Sequence, residues 1–177
     1  MKITISGLAG SGKSTVAKLL AERLNYEYYS LGQLMREIAK ERKSTIMELS
    51  RKAEKDDSID RQLDEKQKGI GRKSDNFVMD SRLGFHFIPD SFKIFLDVDV
   101  KEAAKRVHRH DRTEEKYNNL DEASEHLERR MQSEKRRYEQ YYDIEFPLKE
   151  HFDLVIDTTD RKPGEIVGII LEKIKER

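Results

Sequence analysis

The stretch "GLAGSGKST" at residues 7–15 constrains this chain more than any other feature. It follows the alternating "KITIS" of residues 2–6, which reads as a strand, and runs into "KSTVAKLLAERL" at 13–24. There Val16, Leu19, Leu20 and Leu24 share one face of a helix. Gly7-x-x-x-x-Gly12-Lys13-Ser14 thus lies between a strand and a helix, the context that makes this pattern a phosphate cradle. The glycines let successive backbone N–H groups turn onto one anion, and the helix N-terminus adds its partial positive charge. Lys13 is placed to reach β- and γ-phosphates, and the Ser14 hydroxyl to join a Mg2+ shell. The cradle residues expected to meet a nucleotide's phosphates are Gly7, Leu8, Ala9, Gly10, Ser11, Gly12, Lys13, Ser14 and Thr15. The same letters do not form G-x-G-x-x-G, so the loop is not a dinucleotide fingerprint.

Beyond the loop, strand-like and helix-like segments alternate, as in an α/β fold with a parallel sheet. Strands are predicted at 26–30, 76–81, 92–99 and 152–158, giving five with the first. Asn25 reads as a left-handed helix stop, and Ser30 as the cap of a helix through "LGQLMREIAKER". Residues 44–75 are polar and helical, with a capping box at Thr45 and Glu48, and Gly69 and Gly71 are expected to let the chain turn back. A helix at 101–110 is followed by the polar "DRTEEKYNN", a long helix at 121–142 and a C-terminal helix with Pro163 at its start.

Composition excludes several classes. Lys+Arg and Asp+Glu balance at 35 each, which argues against a nucleic-acid footprint. The chain has no cysteine, so a disulfide framework and a thiolate metal site are impossible. No apolar run approaches the roughly 20 residues of a membrane helix, and no charged-then-apolar leader opens the chain. The expectation is a cytoplasmic monomer that binds neither nucleic acid nor membrane. His108 and His110 read as a solvated pair rather than metal ligands.

The arginines bear on where the phosphate goes. A guanine-reading N-K-x-D is absent, and "FVMD" is only a short version of the apolar run into a motor ATPase's acid. Arg36 lies in the helix after the second strand, behind Ser30 and Gly32, and Arg82 follows the third strand beside Asp80 and Ser81. Both positions are at the carboxyl edge of the sheet, where ligands bind in open α/β folds. An arginine there can grip an acceptor phosphate with two parallel hydrogen bonds. Arg106, Arg109, Arg112, Arg129 and Arg130 flank the polar stretch and are candidates for a lid that neutralises charge during transfer. Asp80 is the candidate organiser of Mg2+ with Ser14, while Arg136 and Arg137 read as surface residues. Acceptors other than a nucleotide, and an assembly ATPase without any acceptor, remain open on these residues alone.

The ordered motifs "ITISGLAGSGKSTVAKLLAERL", "SLGQLMREIAKER", "IDRQLDEKQ", "NFVMDSRLG", "KIFLDV" and "FDLVIDTT" resemble the archaeal-type cytidylate kinases, short members of the nucleoside-monophosphate kinase family. The resemblance runs over nearly the whole chain. It implies a P-loop NTPase fold of adenylate-kinase type, three layers α/β/α around a five-stranded parallel sheet, forming one CORE domain. It also implies a helical monophosphate-binding insert at 31–74 and a short LID at 108–120. The implied reaction moves the ATP γ-phosphate to CMP or dCMP with Mg2+, although AMP or UMP acceptors stay open. Gly32, Arg36, Asp80, Ser81 and Arg82 would meet the monophosphate, and Lys13, Arg82 and the lid arginines the transferring group. Where relatives commonly read E-G-R-L, this chain has Asp80-Ser81-Arg82-Leu83, which adds a hydroxyl.

Overall fold

A computed structural model describes residues 1–109 and 117–177. The elements, in chain order, are β1 (Lys2–Gly7), α1 (Lys13–Leu24), β2 (Glu27–Ser30), α2 (Leu31–Glu41), α3 (Ile46–Ala53), α4 (Ser58–Lys73) and β3 (Phe77–Asp80). They continue with α5 (Gly84–Phe87), β4 (Phe92–Asp97), α6 (Val100–Arg109), α7 (Leu120–Tyr142), β5 (Leu154–Asp157) and α8 (Pro163–Lys175).

The five strands form one all-parallel sheet in the order β2-β3-β1-β4-β5. Pleat alternation sends Ile3 and Ile5 of β1 to one face, where Val16, Ala17 and Leu20 of α1 and Ile166, Val167 and Ile170 of α8 close over them. Phe95, Leu83 and the helix-borne Phe85 and Tyr138 pack on the other face, so helices cover both sides. The central β3 and β4 are buried along most of their length and read as nearly continuous apolar runs, while the edge strands β2 and β5 are more exposed. Each fully buried Leu or Ile contributes about 1.5–3 kcal/mol, which lets a chain with 40% charged residues hold together on few side chains.

Local signals act as their chemistry dictates. Asn25 closes α1 at φ 54, Ser30 Oγ accepts from Gln33 N at 3.2 Å, and Thr45 with Glu48 forms the capping box of α3. The 44–75 segment is helical, as expected, and forms two helices; α2, α3 and α4 share a cluster of Ile38, Ala39, Ile46, Leu49, Ala53 and Ile59. Gly69 and Gly71 do not turn the chain. They lie within α4, and the reversal comes at Asn76, with φ 58. Gly71 instead permits close packing, because a Cβ there would come within 3.0 Å of Ile88 Cγ1. The expected strand at 92–99 stops at Asp97, and Asp99 caps α6 by accepting from Lys101 N and Glu102 N. Among the described residues no helix is long and apolar enough to cross a membrane.

Strand register sets the site. Ile5 of β1 and Ser30 of β2 each pair with Asp80 of β3, while Gly7 pairs with Leu96 of β4. The phosphate loop, the start of α2 and the segment after β3 therefore leave the sheet side by side at its carboxyl edge.

Candidate active site

The loop after β1 is held in a shape few residues tolerate. Gly7, Gly10 and Gly12 have φ of 146, 80 and 83. A Cβ on Gly7 would sit 2.3 Å from the Leu96 carbonyl oxygen, and one on Gly10 2.7 Å from that of Ala103. These glycines are required by backbone contact as well as by φ. Thr158, at the exit of β5, donates to the Ser11 and Asp97 carbonyls at 3.1 and 2.9 Å and ties the loop to the sheet. Gly12 precedes α1, so the loop's amides and the helix terminus converge on one point.

Lys13 Nζ donates to the Leu8 carbonyl at 2.7 Å. Burial, and then the Arg82 guanidinium, push its ammonium down to about 7. A desolvated cation beneath converging N–H groups is an electrostatic seat for a polyanion. Ser14 Oγ donates to Asp80 Oδ2 at 2.5 Å. A hydroxyl and a carboxylate side by side are hard oxygen donors of the kind that suits Mg2+. Among the described residues no group of three or more His, Cys, Asp or Glu converges on a metal position.

A cavity of about 600 Å3 joins this loop to α2, α4, α6 and α7. Gly32, Arg36, Asp80, Ser81, Arg82, Arg106, Arg109 and Arg130 all line it, together with Gly10, Ser11, Gly12, Lys13, Ser14 and Thr15. Arg82 donates to the Gly7 carbonyl, and its Nε lies 2.7 Å from Glu134 Oε2. Arg130 approaches the same carboxylate at 3.2 Å. Burial alone would raise the Glu134 carboxyl, but the charges of Arg82, Arg130 and Arg137 outweigh it and hold the group below the usual range. One buried anion thus fixes Arg82, which reaches the phosphate loop, with Arg130 beside it.

Not every nominated residue reaches the cavity in the same way. Arg106 lines it but commits its guanidinium to the carbonyls of Thr158 and Thr159, both at 2.8 Å, and to Glu102. Arg129, one position from Arg130 and so about 100° round α7, is 64% exposed and pairs with Glu125 instead. Arg112, with His110, lies outside the described residues.

Arg137 corrects the surface reading directly. It is 4% exposed, lines the cavity, and meets both oxygens of Asp60 through Nη1 at 2.9 and 2.8 Å. Arg136 is exposed, as expected, and reaches Glu54 at 3.1 Å. Glu134, Asp60, Asp64 and Gln67 also line the cavity and carry no earlier nomination. Their signal is spacing: 60, 64 and 67 on α4, and 130, 134 and 137 on α7, each form a single polar stripe.

Solved structures share this architecture. Shikimate kinase from Aquifex aeolicus matches with a TM-score of 0.60 at 22% identity, covering 99% of this chain and 97% of that one. Deoxyadenosine kinase from M. mycoides matches at 0.58 and 19% identity, covering 99% and 100%. Fold and phosphate loop together define a protein of the P-loop α/β/α class. The model of the cytidylate kinase-like family matches residues 2–160, and the chain belongs to that family. Relatives named cytidylate kinase come from Natronomonas pharaonis, 39% identical over 96% of this chain and 87% of that protein, and from Methanobrevibacter smithii, 32% identical over 99% of both. A protein of Lacinutrix mariniflava named S-adenosylmethionine-dependent nucleotide dehydratase is 36% identical over 97% of this chain, which spans 35% of its length.

Proposed function

We propose that the protein transfers the γ-phosphoryl group of ATP to CMP or dCMP, giving ADP and CDP or dCDP. The observation that carries this reading is a cavity lined both by the anion cradle, Gly10 to Thr15, and by Arg36, Arg82, Arg130 and Arg137. Hydrolysis needs no second cationic site, whereas a doubly charged acceptor does. The names of the relatives point to cytidine monophosphate among possible acceptors.

In this account the loop amides and Lys13 hold the donor phosphates, and Arg36 grips the acceptor phosphate, with Gly32 beneath it. Arg82, fixed by Glu134, lies between the two. An acceptor phosphate oxygen bonds to the γ-phosphorus as the γ-phosphorus bond to the β–γ bridging oxygen breaks, and the electron pair leaves on ADP. The acceptor is already an anion, so no side chain serves as general base. Ser14 and Asp80 would hold Mg2+, which supplies charge neutralisation across the β- and γ-phosphates. The helices on the cavity wall would close to keep water from the γ-phosphate; the LID expected at 108–120 lies mostly outside the described residues.

The test is ADP release measured across CMP, dCMP, UMP, AMP and GMP with wild type and Arg36→Ala. Wild type is expected to prefer CMP or dCMP. Arg36→Ala is expected to raise KM for the monophosphate by roughly 10–100-fold, the loss of one charge-assisted bidentate contact, with KM for ATP little changed. Equal kinetics of Arg36→Ala and wild type would remove Arg36 from the acceptor site.

A further inference from the structure

The α4 wall of the cavity is polar although it is buried. Asp60, Asp64 and Gln67 are 6, 7 and 3% exposed, and all three line the cavity. Buried polar atoms nearly always have partners, so each oxygen and nitrogen can be accounted for. Asp60 gives both oxygens to Arg137. Asp64 uses Oδ2 to accept from the Tyr142 hydroxyl at 2.6 Å, and Gln67 uses Oε1 to accept from Ser81 Oγ. Among the described residues, Asp64 Oδ1 and Gln67 Nε2 take no protein partner, yet neither is sealed away from the cavity. One acceptor and one donor, three residues apart on one helical face, are thus held toward the same space. Leu31, Met35, Leu63, Leu83 and Tyr138 line that cavity too, offering apolar surface for a flat ring.

We propose that Asp64 and Gln67 read the base of the acceptor nucleotide, selecting an amino group beside an unprotonated ring nitrogen, and that Ser81 is the positioning residue fixing the Gln67 amide. The proposal rests on the monophosphate-kinase reading. A 4-aminopyrimidine offers its exocyclic amino group to Asp64 Oδ1 and its N3 and O2 lone pairs to Gln67 Nε2. Uracil reverses the first two: O4 lone pairs would face the carboxylate, and N3–H would face the amide N–H. Two like-polarity contacts in a buried site leave four groups unpaired, the situation in which polar sites discriminate best.

Ser81 explains why the amide does not simply turn over. A half-turn of the Gln67 amide would bring Nε2 against Ser81 Oγ and present Oε1 to the base, which suits uracil. Ser81 is 4% exposed, and Gln67 is the hydrogen-bond partner of its hydroxyl. The turned amide would leave that buried hydroxyl hydrogen without an acceptor. The hydroxyl added by Ser81 therefore acts on specificity through Gln67 rather than on the phosphate.

The experiment compares kcat/KM for CMP and UMP at saturating ATP in wild type, Asp64→Asn, Gln67→Glu, Ser81→Ala and Ser81→Thr. Mg-ADP binding to each variant reports a folded donor half. The CMP:UMP ratio is expected to fall at least tenfold in Asp64→Asn and Gln67→Glu, to fall in Ser81→Ala, and to recover in Ser81→Thr. Ratios within twofold of wild type in Asp64→Asn and Gln67→Glu, with Mg-ADP still bound, would overturn the base-reading assignment. An unchanged ratio in Ser81→Ala would overturn the positioning role. A wild type that phosphorylates no monophosphate would instead overturn the kinase reading itself.

Discussion

Lys13→Ala is expected to lower kcat for phosphoryl transfer by roughly 10^3-fold or more, the scale of removing a preorganised charge from a developing anionic transition state. The ammonium is buried beside the loop amides and Arg82, where its charge is costly without an anion and effective with one. Stability should move the other way or hardly at all, because the substitution removes a desolvated cation and loses only the bond to the Leu8 carbonyl. Single-turnover transfer and thermal unfolding, run on the same preparation, separate the two effects. A kcat within tenfold of wild type would show that Lys13 does not touch the transferring group.

Arg82→Ala should damage both transfer and folding. Its guanidinium spans the Gly7 carbonyl and the buried Glu134 carboxylate, so truncation strips the phosphate loop of a strut and leaves the anion with Arg130 as its near partner. Removing one member of a buried ion pair costs about 3–5 kcal/mol. Arg82→Lys should recover part of the stability and little of kcat, because an ammonium cannot bridge both partners in the planar fork geometry. Replacing the pair together, Arg82→Met with Glu134→Leu, should recover only part of the unfolding midpoint, because Arg130 then loses its carboxylate, and transfer stays lost. Recovery of transfer in that double variant would contradict the catalytic role.

The fold was legible because its signals are apolar and local. The strands stood out as short apolar or alternating segments between helices, Asn25 and Ser30 bracketed their helices, and the glycine pattern marked the loop. The cavity wall was harder to see for a physical reason. Helical spacing shows that Asp60, Asp64 and Gln67 share a face, but in a chain 40% charged such a face resembles a solvated one. Here the polar stripe turns inward, because it lines a space built to hold charged and hydrogen-bonding ligands. Arg137 was read as surface for the same reason, and its burial depends on Asp60, 77 positions away in sequence. Gly69 and Gly71 illustrate the converse. A glycine suggests a turn locally, but at 71 the close approach of Ile88 accounts for it.

The central claim is that the cavity joins a donor cradle to an acceptor-phosphate site. Transfer from ATP labelled at the γ-phosphate, in a single turnover with CMP present, tests it most directly. The account predicts that the label appears in CDP, with little released as inorganic phosphate and none transferred when CMP is withheld. Label appearing as inorganic phosphate at the same rate with or without CMP would contradict it.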